Sequence, residues 1–314
     1  MRSVGVAQRD EGRRGRVAEL HYAYDRQPKR PVAACNLCGG QRWIPLTERD
    51  RYGFPASACA CTRCGLAFLN PVMTPEAYQA FYVRVYRPLV SAYHNRRIDA
   101  GTIQDEQRVY AAALGDLLER CAAPTPGGRL LDIGGSTGVV AHVLSRRFGL
   151  DATVLDPAPL ELEEASRLGL KTVAGLVEDF QPGQERFDVV ILCQTADHLL
   201  DVRGTLEKVR QLIAPAGWLF IDIVDFRAAY RRHWRVEEAV KIDHPYYLTE
   251  PTMEAYLRRA GFAVARSRYA ADRLHIDFVA RPCEPQPGAL PPPESVAALL
   301  QEIRSVPRAP TGTV

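Results

Sequence analysis

An α/β fold, doubly wound around a seven-stranded, mostly parallel sheet and preceded by a small zinc-binding module, is predicted by three observations. Short apolar runs alternate with helical segments from about residue 128 to 282, a small-residue turn follows the first run, and two Cys-x-x-Cys knuckles lie upstream. Such alternation implies parallel strands covered by helices on both faces.

The elements follow in chain order. Residues 1–30 hold eight Lys/Arg against four Asp/Glu, and this stretch reads as a mobile basic tail. Residues 31–72 form a zinc-ribbon-like module and residues 73–127 a helical connector or substrate lid. The breaker cluster Pro124-Thr125-Pro126-Gly127-Gly128 ends that connector. Residues 128–282 are the core. Its strands are expected at 130–133, 152–155, 187–193 and 218–224, with a third run before Glu178. Thr249–Ala260 reads as a capped helix closed by Gly261, leading into two neighbouring antiparallel runs at 262–268 and 276–281. Residues 283–314 are a Pro-rich tail with an amphipathic piece from Val296 to Ile303.

With 40 Lys/Arg and 37 Asp/Glu the net charge is +3, and the surplus sits in the tail. A nucleic-acid binder carries its basic excess on the folded domain, so nucleic acid is disfavoured as a partner. No apolar run approaches the ~18 residues that span a bilayer, and a cytoplasmic location is the expectation.

Five of the eight cysteines fall between Cys35 and Cys64. Cys35 and Cys38, then Cys61 and Cys64, each followed by glycine, have the spacing of a four-thiolate zinc site. Four sulfurs fill a tetrahedral shell, which makes the ion structural. Cys59 is a spare that could compete for it, and buried free thiols are the alternative.

The first strand runs into Asp132-Ile133-Gly134-Gly135-Ser136-Thr137-Gly138 and a helix start, a place where backbone N–H groups approach a ligand closely. The dinucleotide pattern G-x-G-x-x-G fails here, because 136 is serine and 139 is valine. Asp156 closes the second run, where a carboxylate can take two ribose hydroxyls. Glu178-Asp179-Phe180 follows the third run, and Phe187-Asp188-Val189-Val190 begins the fourth strand.

In that order these motifs resemble the class I S-adenosylmethionine-dependent methyltransferases over roughly residues 105–282. Asp197-His198-Leu199 and "LEKVRQLIAPAGWLFIDI" extend the likeness, and Ser136 departs from it where the family has glycine. The resemblance implies S-adenosylmethionine as cofactor. Gly134, Ser136 and Gly138 would line its amino-acid end, Asp156 its ribose, and Asp179 with Phe180 its adenine, with Asp132 a further cofactor-binding residue at a strand's carboxyl end. The run "CGLAFLNPVMTPEAYQAFYVRVY" resembles a zinc-bearing subgroup that includes deoxysugar C-methyltransferases. There a helix carries tyrosines near the substrate, a placement that Tyr82 and Tyr86 match, although i, i+4 aromatics also pack cores.

Methyl transfer needs a base only to remove a substrate proton, a task that suits histidine. His244, in Asp243-His244-Pro245-Tyr246-Tyr247, matches a segment of the subgroup in which a histidine acts as base. His198 is expected to position cofactor or substrate, with a structural role open for both, and Tyr86 completes the catalytic candidates. Arg231-Arg232-His233-Trp234-Arg235 could hold a nucleotide phosphate or be a solvated loop. The reading is a methyltransferase of a small biosynthetic intermediate, a sugar or nucleotide-linked sugar, at oxygen or carbon. The alternatives are an rRNA or tRNA methyltransferase and a non-enzymatic protein that binds the cofactor.

Overall fold

The computed structural model describes residues 11–122, 124–181, 183 and 185–306. In chain order the strands are β1 (Lys29–Arg30), β2 (Trp43–Thr47), β3 (Ala58–Cys61), β4 (Ala67–Leu69), β5 (Val72–Met73), β6 (Arg129–Ile133), β7 (Asp151–Asp156), β8 (Lys171–Ala174), β9 (Phe187–Leu192), β10 (Ile213–Val224), β11 (Tyr246–Tyr247), β12 (Phe262–Tyr269) and β13 (His275–Pro282). The helices are α1 (residues 11–18), α2 (Pro75–Arg84), α3 (Tyr86–His94), α4 (Gln104–Cys121), α5 (Val139–Phe148), α6 (Pro159–Arg167), α7 (Val202–Leu212), α8 (Phe226–His233), α9 (Glu250–Ala260) and α10 (Pro293–Ser305).

The chain forms two compact units. The first gathers three separated segments, Met1–Asp99, Phe226–Tyr247 and Pro292–Val314; the second holds Ala100–Asp225 and Leu248–Pro291.

The second unit is the doubly wound core. Its seven strands lie in the order β12-β13-β10-β9-β6-β7-β8. Strands β6 to β10 run parallel and β13 pairs antiparallel with both β10 and β12. The strand order reverses between β6 and β9, and in such sheets ligands bind outside the carboxyl ends at that reversal. Leu114, Leu117 and Leu118 of α4 join Val140, Ala141 and Leu144 of α5 in one buried cluster with Leu130, Val154 and Ile191 of the sheet. Thr249 and Thr252 form a reciprocal cap at the start of α9, and Gly261 closes it at φ +86°.

The first unit is built around an antiparallel ribbon in the order β11-β4-β3-β2. Tyr246 pairs with Phe68 and Tyr247 with Ala67, so residues remote in sequence complete the sheet that carries Cys61. The expected module of residues 31–72 is therefore too short. The expected connector of residues 73–127 is likewise divided, with α2 and α3 in the first unit and α4 in the second.

Residues 11–30 correct the expectation of a mobile basic tail. Val17 and Tyr24 are buried, β1 pairs with β5, and Arg16 Nε donates to the Ala92 carbonyl at 2.8 Å. The arginines thus find acceptors, and apolar residues spaced between them enter the core; residues 1–10 lie outside the described residues. The Pro-rich end is corrected too, since α10 buries Val296, Leu299, Leu300 and Ile303. Val296 and Leu299 pack beside the knuckle residue Gly65, whereas 307–314 fall outside the described part. Among the described residues no helix is long and apolar enough to cross a membrane.

Candidate active site and metal centre

In the second unit the chain leaves β6 through a turn with unusual backbone angles. Ser136 sits at φ +50°, the left-handed region that costs an L-residue ~1–2 kcal/mol. Two contacts offset this: its N–H donates to Asp156 Oδ2 at 2.9 Å, and its Oγ meets Glu161 Oε2 at 2.8 Å. A serine thus holds a positive φ of the kind that glycine favours, anchored by acids from β7 and α6. Thr137 is fully buried, with its hydroxyl donating to Gln107 Oε1 at 2.7 Å.

Asp132 lies under this turn, only 1% exposed. A Cβ at residue 135 would stand 2.6 Å from its carboxylate and 2.9 Å from Val154, so only glycine fits there. Neither carboxyl oxygen of Asp132 has a hydrogen-bond partner among the described residues. Burial, with the Asp156 carboxylate second, pushes its pKa up to about 7. Asp156 Oδ1 also accepts from the Ala158 N–H at 2.8 Å.

Asp179 is exposed and Phe180 half-buried, its ring 6.2 Å from that of Phe187. Glu178 turns elsewhere and accepts from the Thr205 hydroxyl at 2.6 Å. His198 ends a 3-10 turn, Ala196–His198, beyond β9. Asp222 near the end of β10 gave no sequence signal. Fully buried, it accepts from the Gln194 N–H at 2.5 Å and the Tyr110 hydroxyl at 3.0 Å, and burial raises it to about 7.

His244 belongs to the first unit and is 5% exposed. Its Nε2 lies 3.2 Å from Lys241 Nζ and 3.4 Å from Asp243 Oδ2. Three phenols hold the backbone around it. Tyr78 donates to the Ile242 carbonyl at 3.1 Å, Tyr82 to the Asp243 carbonyl at 2.8 Å, and Tyr247 to the Lys241 carbonyl at 2.9 Å. Asp50, fully buried, accepts from the N–H groups of Tyr52, Phe54 and Ile242 at 2.9–3.1 Å. Sequence reasoning missed Asp50, although an aspartate with glycine three residues on is a turn signal. Tyr86 is half-buried, its ring 5.4 Å from Tyr82. Tyr82 is thus committed to the loop backbone, and Tyr86 meets its ring edge-on.

The arginine cluster is not a ready phosphate site. Arg231 and Arg227 both grip Glu302 of α10, and Arg235 pairs with Glu237 at 2.6 Å. One carboxylate thus serves two of these guanidiniums and Glu237 a third, while Trp234 stays 48% exposed.

The two cysteine knuckles have matching geometry. Gly39 N–H donates to the Cys35 carbonyl and Cys35 N–H to the Gly40 carbonyl, both at 2.8 Å. Gly65 and Cys61 repeat the pattern with the Cys61 and Leu66 carbonyls at 2.9 Å. Gly39 and Gly65 adopt φ +70° and +74°, which the trailing glycine of each knuckle permits. The four sulfurs lie within 4.8 Å of one another, with Cys35–Cys64 and Cys38–Cys61 at 3.5 Å. Cys59 is not part of this group; it is buried in β3, and burial pushes its thiol up to about 12.

A family model described as "Methyltransferase domain" matches residues 105–267. The ubiquinone biosynthesis O-methyltransferase of Azorhizobium caulinodans is 26% identical over 162 residues, which is 46% of this chain and 63% of that protein. The C-methyltransferase NovU of Streptomyces niveus is 27% identical over 217 residues, 62% of this chain and 48% of that one. A ubiquinone biosynthesis O-methyltransferase of Cereibacter sphaeroides is 34% identical over 45% of this chain and 63% of its own. The chain thus spans less than two-thirds of the length of each.

Proposed function

We propose that this chain, which belongs to the methyltransferase domain family, transfers a methyl group from S-adenosylmethionine to oxygen or carbon of a small molecule, a sugar or nucleotide-linked sugar being the favoured class. The observation that carries the reading is the Ser136-to-Asp156 bond at 2.9 Å, which joins the β6 turn to the acid ending β7. That junction lies at the carboxyl ends of adjacent strands, beside the sheet's order reversal.

The residues present fit the cofactor. Asp132 offers two unsatisfied buried carboxyl oxygens below the turn, suited to an ammonium, and Gly134, Ser136 and Gly138 offer backbone around the amino-acid end. Asp156, at the end of β7, would take the ribose hydroxyls, and exposed Asp179 with the Phe180 ring would take an adenine by its amino group and face. When bound, the cofactor supplies an electrophilic methyl on a sulfonium. The chain's part is then to align the acceptor and remove one proton. His244 is assigned as the base, His198 as a positioning residue on the cofactor-binding unit, and Tyr86 as a substrate-side aromatic.

The four-cysteine group is assigned a structural zinc ion. A tetrahedron with Zn–S near ~2.3 Å has S–S edges of about 3.8 Å, which the 3.5 Å pairs approach. The carboxylates already paired with Arg227, Arg231 and Arg235 weaken the case for a phosphate clamp there.

The test is a screen of sugars, nucleotide-linked sugars and phenols with S-adenosylmethionine, read as adenosylhomocysteine release. A product heavier by one methyl with a sugar acceptor is expected. Turnover with phenols alone would remove the sugar assignment, and turnover with RNA alone would overturn the small-molecule reading.

A further inference from the structure

One ring nitrogen of His244 is faced by two opposite charges from its own segment. Lys241 Nζ stands 3.2 Å from Nε2, and Asp243 Oδ2 stands 3.4 Å from the same atom. An ammonium has donors only, so Lys241 can bond to Nε2 only when that nitrogen presents its lone pair. The imidazole is then neutral, with its proton on Nδ1. A carboxylate acts in the opposite sense, because it is satisfied when Nε2 carries a proton and the ring is charged.

We propose that Lys241 is a positioning residue that holds His244 in its neutral, proton-accepting form against the pull of Asp243. The inference rests on the reading of His244 as the base. A carboxylate at that nitrogen raises the proton affinity of the base and so lowers the share of it that is free near neutral pH to take a proton from the acceptor. The ammonium offsets that carboxylate, and it does so at the nitrogen concerned.

The surroundings make the arrangement rigid. Tyr247 grips both the N–H and the carbonyl of Lys241, at 3.2 and 2.9 Å, while Asp50, Tyr78 and Tyr82 fix Ile242 and Asp243. His244 and Asp243 are both buried, at 5% and 1% exposure, where neighbouring charges are weakly screened. Within this unit Lys241 and Asp243 are charged side chains that meet the imidazole directly. Around the same loop burial raises Asp50 to about 8 and Tyr82 and Tyr247 well above the usual phenol range.

The test uses the full chain labelled with ¹³C-histidine, its His244 signal assigned by loss in His244→Gln, and titrated from about pH 5 to 9. Removing a neighbouring cation favours the imidazolium, so Lys241→Gln is expected to raise the His244 midpoint by about one pH unit or more, a tenfold rise in proton affinity. Lys241→Arg should keep it within about 0.3 unit. A His244 silent in the parent that begins to titrate in Lys241→Gln gives the same support. An unmoved midpoint in Lys241→Gln, or no titration in either protein, overturns the proposal. Should Lys241→Gln fail to fold, Lys241→Met serves as the second neutral variant. A null result here leaves the methyltransferase assignment standing, since no cofactor or acceptor enters the measurement.

Discussion

Replacing His244 with alanine is expected to lower turnover ~10²–10⁴-fold while S-adenosylmethionine binds as before, the loss typical of a removed general base. The two effects separate because the histidine and the cofactor residues lie in different units. In the first unit His244 meets Lys241 and Asp243, in a loop that Asp50 and three tyrosines fix. Truncation to alanine leaves all of those backbone bonds in place, so the chain should stay folded and lose only the proton acceptor. Measured as single-turnover rates beside cofactor affinity, a rate within about threefold of the parent would exclude His244 as the base.

The second large effect concerns the metal. Structural zinc bound by small modules contributes ~10–16 kcal/mol near neutral pH, more than the ~5–15 kcal/mol that holds a whole domain folded. The double replacement Cys61→Ser and Cys64→Ser should therefore abolish the one zinc expected per chain and unfold the first unit. The loss would spread beyond the knuckles. Cys61 ends β3, whose partner β4 carries β11, and Gly65 supports Val296 and Leu299 of α10. Zinc content by atomic absorption, with proteolysis of residues 11–99 as the folding readout, checks this. Full zinc in the double variant would contradict the four-thiolate site.

The doubly wound core was legible in the sequence because its signals are local. Each strand of the parallel set is a short apolar run, and the acids that matter close a run or sit just past it, as Asp132, Asp156 and Asp179 do. The cysteine knuckles were legible for the same reason, being two-residue loops with a trailing glycine. What escaped was whatever depends on distant partners. Tyr246 and Tyr247 pair with a strand about 180 residues earlier, and no periodicity links them to it. Glu302 meets Arg227 and Arg231 across more than 70 residues, a partner that the arginine-rich run itself does not announce. Asp50 and Asp222 gave no cue because a buried acid differs from an exposed one only in its tertiary contacts. Residues 11–30 misled through composition: arginine-rich sequence looks solvated until its guanidiniums find carbonyls, as Arg16 does at Ala92. Ser136 stands where the family pattern has glycine, and its positive φ is held by Asp156 and Glu161, neither of which is adjacent in sequence.

The central claim is that the β6 turn, with Asp132 beneath it and Asp156 beside it, is a binding site for S-adenosylmethionine. Titration calorimetry of the ligand-stripped chain tests this most directly. One equivalent of S-adenosylmethionine or adenosylhomocysteine should bind with measurable heat, and Asp156→Ala should weaken binding ~10–100-fold, the worth of charge-assisted bonds to a ribose at ~1.5–3 kcal/mol. No heat with either compound, or equal affinity in Asp156→Ala, would contradict it.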